Sequence, residues 1–264
     1  MITPAKAAPI EWVPVANPGN AADTTGYGDV AYTFDIMKYE FTNTRYAEFL
    51  NAIDPEGTNP QGVWAAQMNS SNQGGISQVP GNALGSKYVV KTDFADKPVN
   101  FLSSFSVARV ANWLQNGSPV SPTTTDSSGT APQNTGVYAI GTATSGTLPA
   151  KSAGALYWIP LENEWYKAAY YNPNDSTYYD FANGRNTAPT AVASGTADNT
   201  AVYGQSYGQG PADVTNAGSL SPYGVMALAA TFMNGKRVLG TWLIVTFLLV
   251  GGSAADPGTI YPSP

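Results

Sequence analysis

The sequence predicts a loop-rich α+β domain, and three observations carry that expectation. A segment with apolar residues at period two, Val30 to Ile36, runs straight into a helical stripe over 43–53. Two more helical stripes follow, at 104–116 and 162–171. Between them the chain is dominated by Gly, Pro, Ser, Thr and Asn, which favour turns over long elements. At 264 residues there is room for one large domain, and neither a repeat nor a linker divides it.

Taken in order, Ile10 to Val15 alternates and reads as a first strand. Asn17-Pro18-Gly19-Asn20 and Gly26-Tyr27-Gly28 are turn signals. Val30, Tyr32, Phe34 and Ile36 share one face of a half-buried strand. Thr42 is a cap for a helix over 43–53, where Tyr46, Phe49, Leu50 and Ile53 recur at i, i+3, i+4 and i+7. Residues 54–97 show no sustained period and read as loop. Ser103 caps a second helix, 104–116, with Val107, Val110, Ala111 and Leu114 inward and Asn116-Gly117 as its stop. Residues 118–150 read as a surface excursion with one hairpin. Tyr157 to Pro160 is a short strand before a third helix, 162–171, with Trp165, Ala168 and Ala169 inward. From 172 to 224 there is little periodicity.

Absences narrow the chemistry. There is no His, hence no imidazole base or metal ligand, and no Cys, hence no disulfide, thiolate nucleophile or structural zinc site. A metal would have to be a hard cation held by oxygen, calcium first among them. A net charge of −6, with 12 scattered basic residues, argues against nucleic acid and anionic membrane as partners. Neither a phosphate-cradling glycine loop nor a nucleophile elbow is present.

Several segments together resemble the formylglycine-generating enzyme family, the sulfatase-modifying factors. They are Trp12-Val13-Pro14-Val15 with Asn17-Pro18-Gly19-Asn20, and Tyr39-Glu40-Phe41-Thr42-Asn43 running into Tyr46-Ala47-Glu48-Phe49-Leu50-Asn51. Lys97-Pro98-Val99-Asn100 precedes Ala111-Asn112-Trp113-Leu114, then comes Trp158-Ile159-Pro160-Leu161-Glu162-Asn163-Glu164-Trp165-Tyr166-Lys167-Ala168-Ala169, and Ser221-Pro222-Tyr223-Gly224 closes the series. Their order and spacing are similar to a secreted bacterial branch of that family. The resemblance implies an elaborated C-type-lectin-like fold over 10–225, and an oxidase activity that uses copper and a cysteine pair this chain lacks.

The two ends stand apart. Ala5-Lys6-Ala7 has the small-x-small form of a signal-peptidase site without an apolar stretch before it, so residues 1–9 read as a signal remnant or a flexible terminus. Beyond Val225 the family's Gly-Gly-Asn-Val-Trp/Tyr-Glu-Trp and Arg-Gly-Gly-Ser-Trp segments are missing. Codons for Met226 to Gly235, reread one nucleotide earlier, permit Gly-Gly-Asn-Val-Tyr/His-Glu-Trp, and Leu249-Val250-Gly251-Gly252 then permits Ser-Arg-Gly-Gly. The expectation is a frameshift near Val225, with 226–264 a non-family tail that is helical, loosely packed or disordered. Within it, the apolar run Val238 to Gly252 is 15 residues long, short of the roughly 20 that span a bilayer. It reads as buried strand or short tail anchor.

Glu162 and Glu164 fall in the first turn of the third helix, where the macrodipole favours carboxylates; that role is preferred here over catalysis. The family's structural ions imply calcium at Asn199, Thr200 (through its carbonyl) and Asp213, with Asp198 alongside; Asx-rich loops also cap turns. A second family calcium site needs the missing Asn-Val-x-Glu segment. Tyr170, Tyr171, Tyr178, Tyr179, Tyr203 and Tyr207 offer either a surface for peptide or glycan or simple loop anchors. The expected function is that of a non-catalytic protein, extracellular, periplasmic or at the cell surface, binding a protein, peptide or glycan. A sulfatase-modifying oxidoreductase and a tail-anchored envelope protein are the alternatives.

Overall fold

The computed structural model describes residues 9–120, 131–226 and 249–251. Strand β1 (Trp12–Val15) pairs antiparallel with β2 (Phe34–Met37), aligning Val13 with Ile36. The apolar face read from Val30 to Ile36 is correct, but the strand is shorter than expected. Gly19 N–H donates to the Val30 carbonyl at 2.9 Å and Val30 N–H to Asn20 Oδ1 at 3.4 Å, and the chain bends at residues 31–32 before β2 begins at Phe34.

Helix α1 (Asn43–Ile53) starts where Thr42 predicts, its hydroxyl accepting from Arg45 N–H at 3.4 Å. Tyr46, Phe49 and Leu50 are fully buried, each side chain contributing about 1.5–3 kcal/mol by leaving water. The loop expected over 54–97 is corrected: it contains a short helix α2 (Gln67–Ser70) and a hairpin of β3 (Ile76–Gln78) and β4 (Tyr88–Val90). Three-residue strands are too short to show a period, so only cross-strand pairing defines them.

Helix α3 (Ser104–Gln115) is capped by Ser103, whose hydroxyl accepts from Ser106 N–H at 3.1 Å, and stops before Gly117 at φ 80°. The surface excursion expected over 118–150 is also corrected. Among its described residues no strand forms, and Gln133, Asn134, Val137, Tyr138 and Ile140 are buried. Two polar side chains inside the α3 stripe cause this. Asn112 bonds the Gln133 carbonyl at 3.2 Å, the Tyr138 carbonyl at 2.8 Å and the Tyr138 N–H at 2.7 Å. Arg109, fully buried, donates to Asn134 Oδ1 and to the carbonyls of Gly141 (3.0 Å) and Ala143 (2.6 Å).

Next come β5 (Tyr157–Trp158), α4 (Glu162–Tyr170) and a hairpin of β6 (Tyr171–Asn172) with β7 (Thr177–Tyr178). A parallel pair, β8 (Thr190–Val192) with β9 (Thr200–Val202), and a 3₁₀ turn at Tyr207–Gln209 complete this part. Finally β10 (Val250–Gly251) sits between β2 and β5, giving the main sheet the order β1-β2-β10-β5. For these tail residues the expectation of loose packing fails. Leu249 and Val250 are fully buried, Val250 pairs with Ile36 on one side and Trp158 on the other, and Gly251 lies against the Trp12 ring. The reread segment 227–235, most of the apolar run Val238 to Gly252 and residues 1–8 lie outside the described residues.

Candidate functional site

Helix α1 anchors one side of a pocket without lining it. Its first residue, Asn43, is buried, and its amide donates to the carbonyls of Phe94, Lys97 and Pro98 at 3.0–3.3 Å. Thr44 adds bonds to the Ala95 carbonyl, so the segment before α3 is clipped rigidly to the α1 N-terminus. Gly75 packs on the same asparagine; a Cβ there would stand 2.5 Å from Asn43 Cγ. The opposite wall is tied in by Val214 N–H to the Asp96 carbonyl at 2.8 Å and Gly195 N–H to the Asn216 carbonyl at 2.8 Å.

Between these walls lies a cavity of 340 Å³, lined by Lys97, Ser194, Gln209, Asp213 and Asn216 together with small residues such as Pro211. Lys97 Nζ donates to the Pro211 carbonyl at 2.6 Å and stands 3.5 Å from Asp213 Oδ1. The two charges answer each other, so the pocket offers a matched pair beside neutral amides and a hydroxyl. That suits a neutral polar ligand. Gly210, at φ 73°, makes the turn that brings Gln209 and Pro211 onto the same rim.

The sequence-derived residues distribute unevenly. Asp213 lines this pocket; Asn199 and Thr200 do not. Asp198 pairs with Arg185, Asn199 Oδ1 accepts from Asn183 at 2.8 Å, and the Thr200 carbonyl accepts from both Ser219 N–H and Ser219 Oγ at 2.9 Å. Several of the oxygens named for calcium thus accept protein hydrogen bonds, and among the described residues no group of three or more acidic side chains gathers. Glu162 is exposed and Glu164 is buried. Glu164 accepts from Tyr32 O–H at 2.5 Å, Leu161 N–H at 2.7 Å and Trp158 Nε1–H at 3.1 Å. Burial pushes its carboxyl above the ordinary range while these donors pull it back. It closes the start of α4 as half a capping box, which Leu161 cannot reciprocate. Of the six tyrosines, Tyr170 and Tyr171 are buried and Tyr178 packs on Tyr171. Tyr203 anchors to the Pro189 carbonyl, Tyr179 accepts from Asn172, and Tyr207 is exposed with its hydroxyl bonded to Ser71. Ser194, Gln209 and Asn216 escaped sequence reading because no period or motif marks them. Lys97 had a signal, its place in Lys97-Pro98-Val99-Asn100, but no role attached.

Fold and site define a class: a loop-rich α+β domain with helices, small sheets and an open polar pocket. The sequence profile of the sulfatase-modifying factor enzyme 1-like domain matches residues 26–229, more than half of the chain. The protein belongs to that family, as a member without cysteine. No curated protein and no solved structure is similar to the chain at this level. The copper implied by the family's oxidase activity does not fit the residues present. Copper(I) is held by soft thiolates, and the chain has none. The soft donors left are methionines, and Met37, Met68 and Met226 are buried in hydrophobic packing.

Proposed function

We propose that this chain is a non-catalytic, exported or surface-associated binding protein on an elaborated C-type-lectin-like scaffold, and that its ligand enters the pocket between Lys97 and Asn216. The complete absence of cysteine carries this reading, since the family's oxidation chemistry has no thiol to run through. The pocket's paired charges and neutral hydrogen-bonding groups favour a glycan or peptide backbone over an ionic ligand. Glycan and peptide arrays should reveal such a ligand. The double variant Ser194→Leu with Asn216→Leu should then weaken it about 5- to 30-fold, the loss of one or two neutral hydrogen bonds at about 1 kcal/mol each. Unchanged affinity in that variant, or aldehyde formed on a cysteine-containing sulfatase peptide with copper, would overturn the reading. Burial of Leu249 and Val250 inside the sheet weighs against a tail anchor. Among the described residues no helix is long and apolar enough to cross a membrane.

We also propose that the tail after Val225 is out of frame. The family match stops at residue 229, close to the point where codon rereading permits the family's motif. The nucleotide sequence decides: codons of Ala229 to Gly235 should spell Gly-Gly-Asn-Val-Tyr/His-Glu-Trp one base earlier, and any other reading ends the idea.

A further inference from the structure

Around α4 the chain gathers aromatic rings into a continuous file. Trp165 meets Tyr170 at 5.9 Å between ring centroids, Tyr170 meets Tyr166 at 4.7 Å, and Tyr166 meets both Tyr27 (6.0 Å) and Tyr178 (5.7 Å). The file goes on from Tyr178 to Tyr171 at 5.0 Å and ends at Tyr223, stacked on Tyr171 at 6.4 Å. Its members come from the 26–28 turn, α4, both strands of the β6–β7 hairpin and the Ser221-Pro222-Tyr223-Gly224 turn. Trp165, Tyr27 and Tyr223 are half-buried, so the file reaches solvent at separate points, while Tyr170 and Tyr171 are buried. Packing alone explains aromatic contacts. It does not require the proton geometry found along this file.

The Tyr166 hydroxyl donates to a carboxylate, Asp23 Oδ2, at 2.5 Å. By contrast Tyr178 donates to the Ala21 carbonyl at 3.0 Å and Tyr223 to the Ala16 carbonyl at 3.1 Å. A tyrosine that loses an electron becomes a strong acid and must shed its phenolic proton. A carboxylate can take that proton and an amide carbonyl cannot. The fixed charges point the same way: the Lys167 ammonium lies 5.7 Å over the Tyr171 ring and disfavours positive charge there, whereas Asp23 favours it at Tyr166. With no cysteine in the chain, no protein thiol intercepts an oxidising equivalent first.

We propose that this file is a relay for oxidising equivalents, which enter at Trp165, Tyr27 or Tyr223 and come to rest on Tyr166 with Asp23 as proton acceptor. The external reactant is a one-electron oxidant. It gains one electron; the Tyr166 O–H bond breaks, an O–H bond forms on Asp23, and a neutral tyrosyl radical remains. A one-electron reductant such as ascorbate or a small thiol restores the phenol, the proton returning from Asp23. No heavy-atom bond is made or broken.

The test uses the whole protein with photogenerated tris(bipyridine)ruthenium(III), freeze-quenching and electron paramagnetic resonance. A dominant tyrosyl signal is expected in the parent protein. Tyr166→Phe should lower the radical yield several-fold, and Tyr207→Phe, exposed and outside the file, should leave it unchanged. Asp23→Asn keeps every ring contact while removing the proton acceptor, and it should lower the yield likewise. Equal yields from Tyr166→Phe and Tyr207→Phe overturn the proposal. So does a yield in folded Asp23→Asn equal to the parent's, which would reduce the file to structural packing; if Tyr166→Phe does not fold, this second variant decides.

Discussion

Val250→Asp should leave the protein without a cooperative fold. Val250 is fully buried in one of the two inner strands of the main sheet, between Ile36 and Trp158. A carboxylate there would stand between the apolar side chains of Ile36 and Trp158, and a buried charge without a partner costs several kcal/mol, comparable with the roughly 5–15 kcal/mol of a whole domain. Deleting everything after Met226 should do the same, since it removes β10 and the bond from Met37 N–H to the Leu249 carbonyl at 3.1 Å. Val89→Asp, on a half-exposed position of the β3–β4 hairpin, should stay within about 0.5 kcal/mol of the parent. Thermal and urea unfolding decide the matter. A Val250→Asp protein melting within a few degrees of the parent would show that β10 does not hold the sheet together.

Lys167→Met should stabilise the protein at pH 7 and lose that advantage as pH rises. The Lys167 side chain is fully buried and donates to the Asn17 carbonyl at 2.7 Å, and among the described residues no carboxylate pairs with it. Burial pulls its pKa down from 10.5 to about 8. Because the folded value lies below the unfolded one, the charged lysine opposes folding. The cost is fully present below about pH 8, fades as pH rises, and is gone above the ordinary lysine value. Converted at 1.36 kcal/mol per unit, it is about 3 kcal/mol at most, reduced by about 1 kcal/mol for the lost hydrogen bond in the variant. The parent should therefore gain on Lys167→Met by about 2 kcal/mol between pH 7 and pH 9.5, a difference in which tyrosine ionisation, common to both proteins, cancels. A stability difference that does not change with pH would show that Lys167 is solvated or paired in the folded state.

The three long helices were legible from their apolar stripes, and two of them also mark where they begin. Thr42 and Ser103 cap α1 and α3 by bonding the N–H three residues on, and the apolar stripes behind them bury as read. The family was legible too, since its motifs lie mostly on or beside those helices. The pocket was not. Lys97 and Asp213 are more than a hundred residues apart, and what brings them together is Asn43 holding one loop and Val214 tying down the other. Neither bond leaves a local pattern. For the proposed calcium set Asn199, Thr200 (through its carbonyl) and Asp213 the sequence named the oxygens, while their protein partners are set by the loops around them.

By itself the sequence determined the α+β class, the places of α1, α3 and α4, family membership through motif order, and, through the absence of Cys and His, the chemistry the chain cannot perform. Those features are local or compositional, and a chain carries them however it folds. Only the tertiary structure decided that Arg109 and Asn112 draw residues 133–140 into the core, that Val250–Gly251 occupies the centre of the main sheet, and that tyrosines from separate turns, α4 and a hairpin form one file ending on Asp23. Each depends on hydrogen bonds or ring contacts between residues far apart in the chain. Such pairings are fixed by packing the whole domain at once and leave no periodic trace along the sequence.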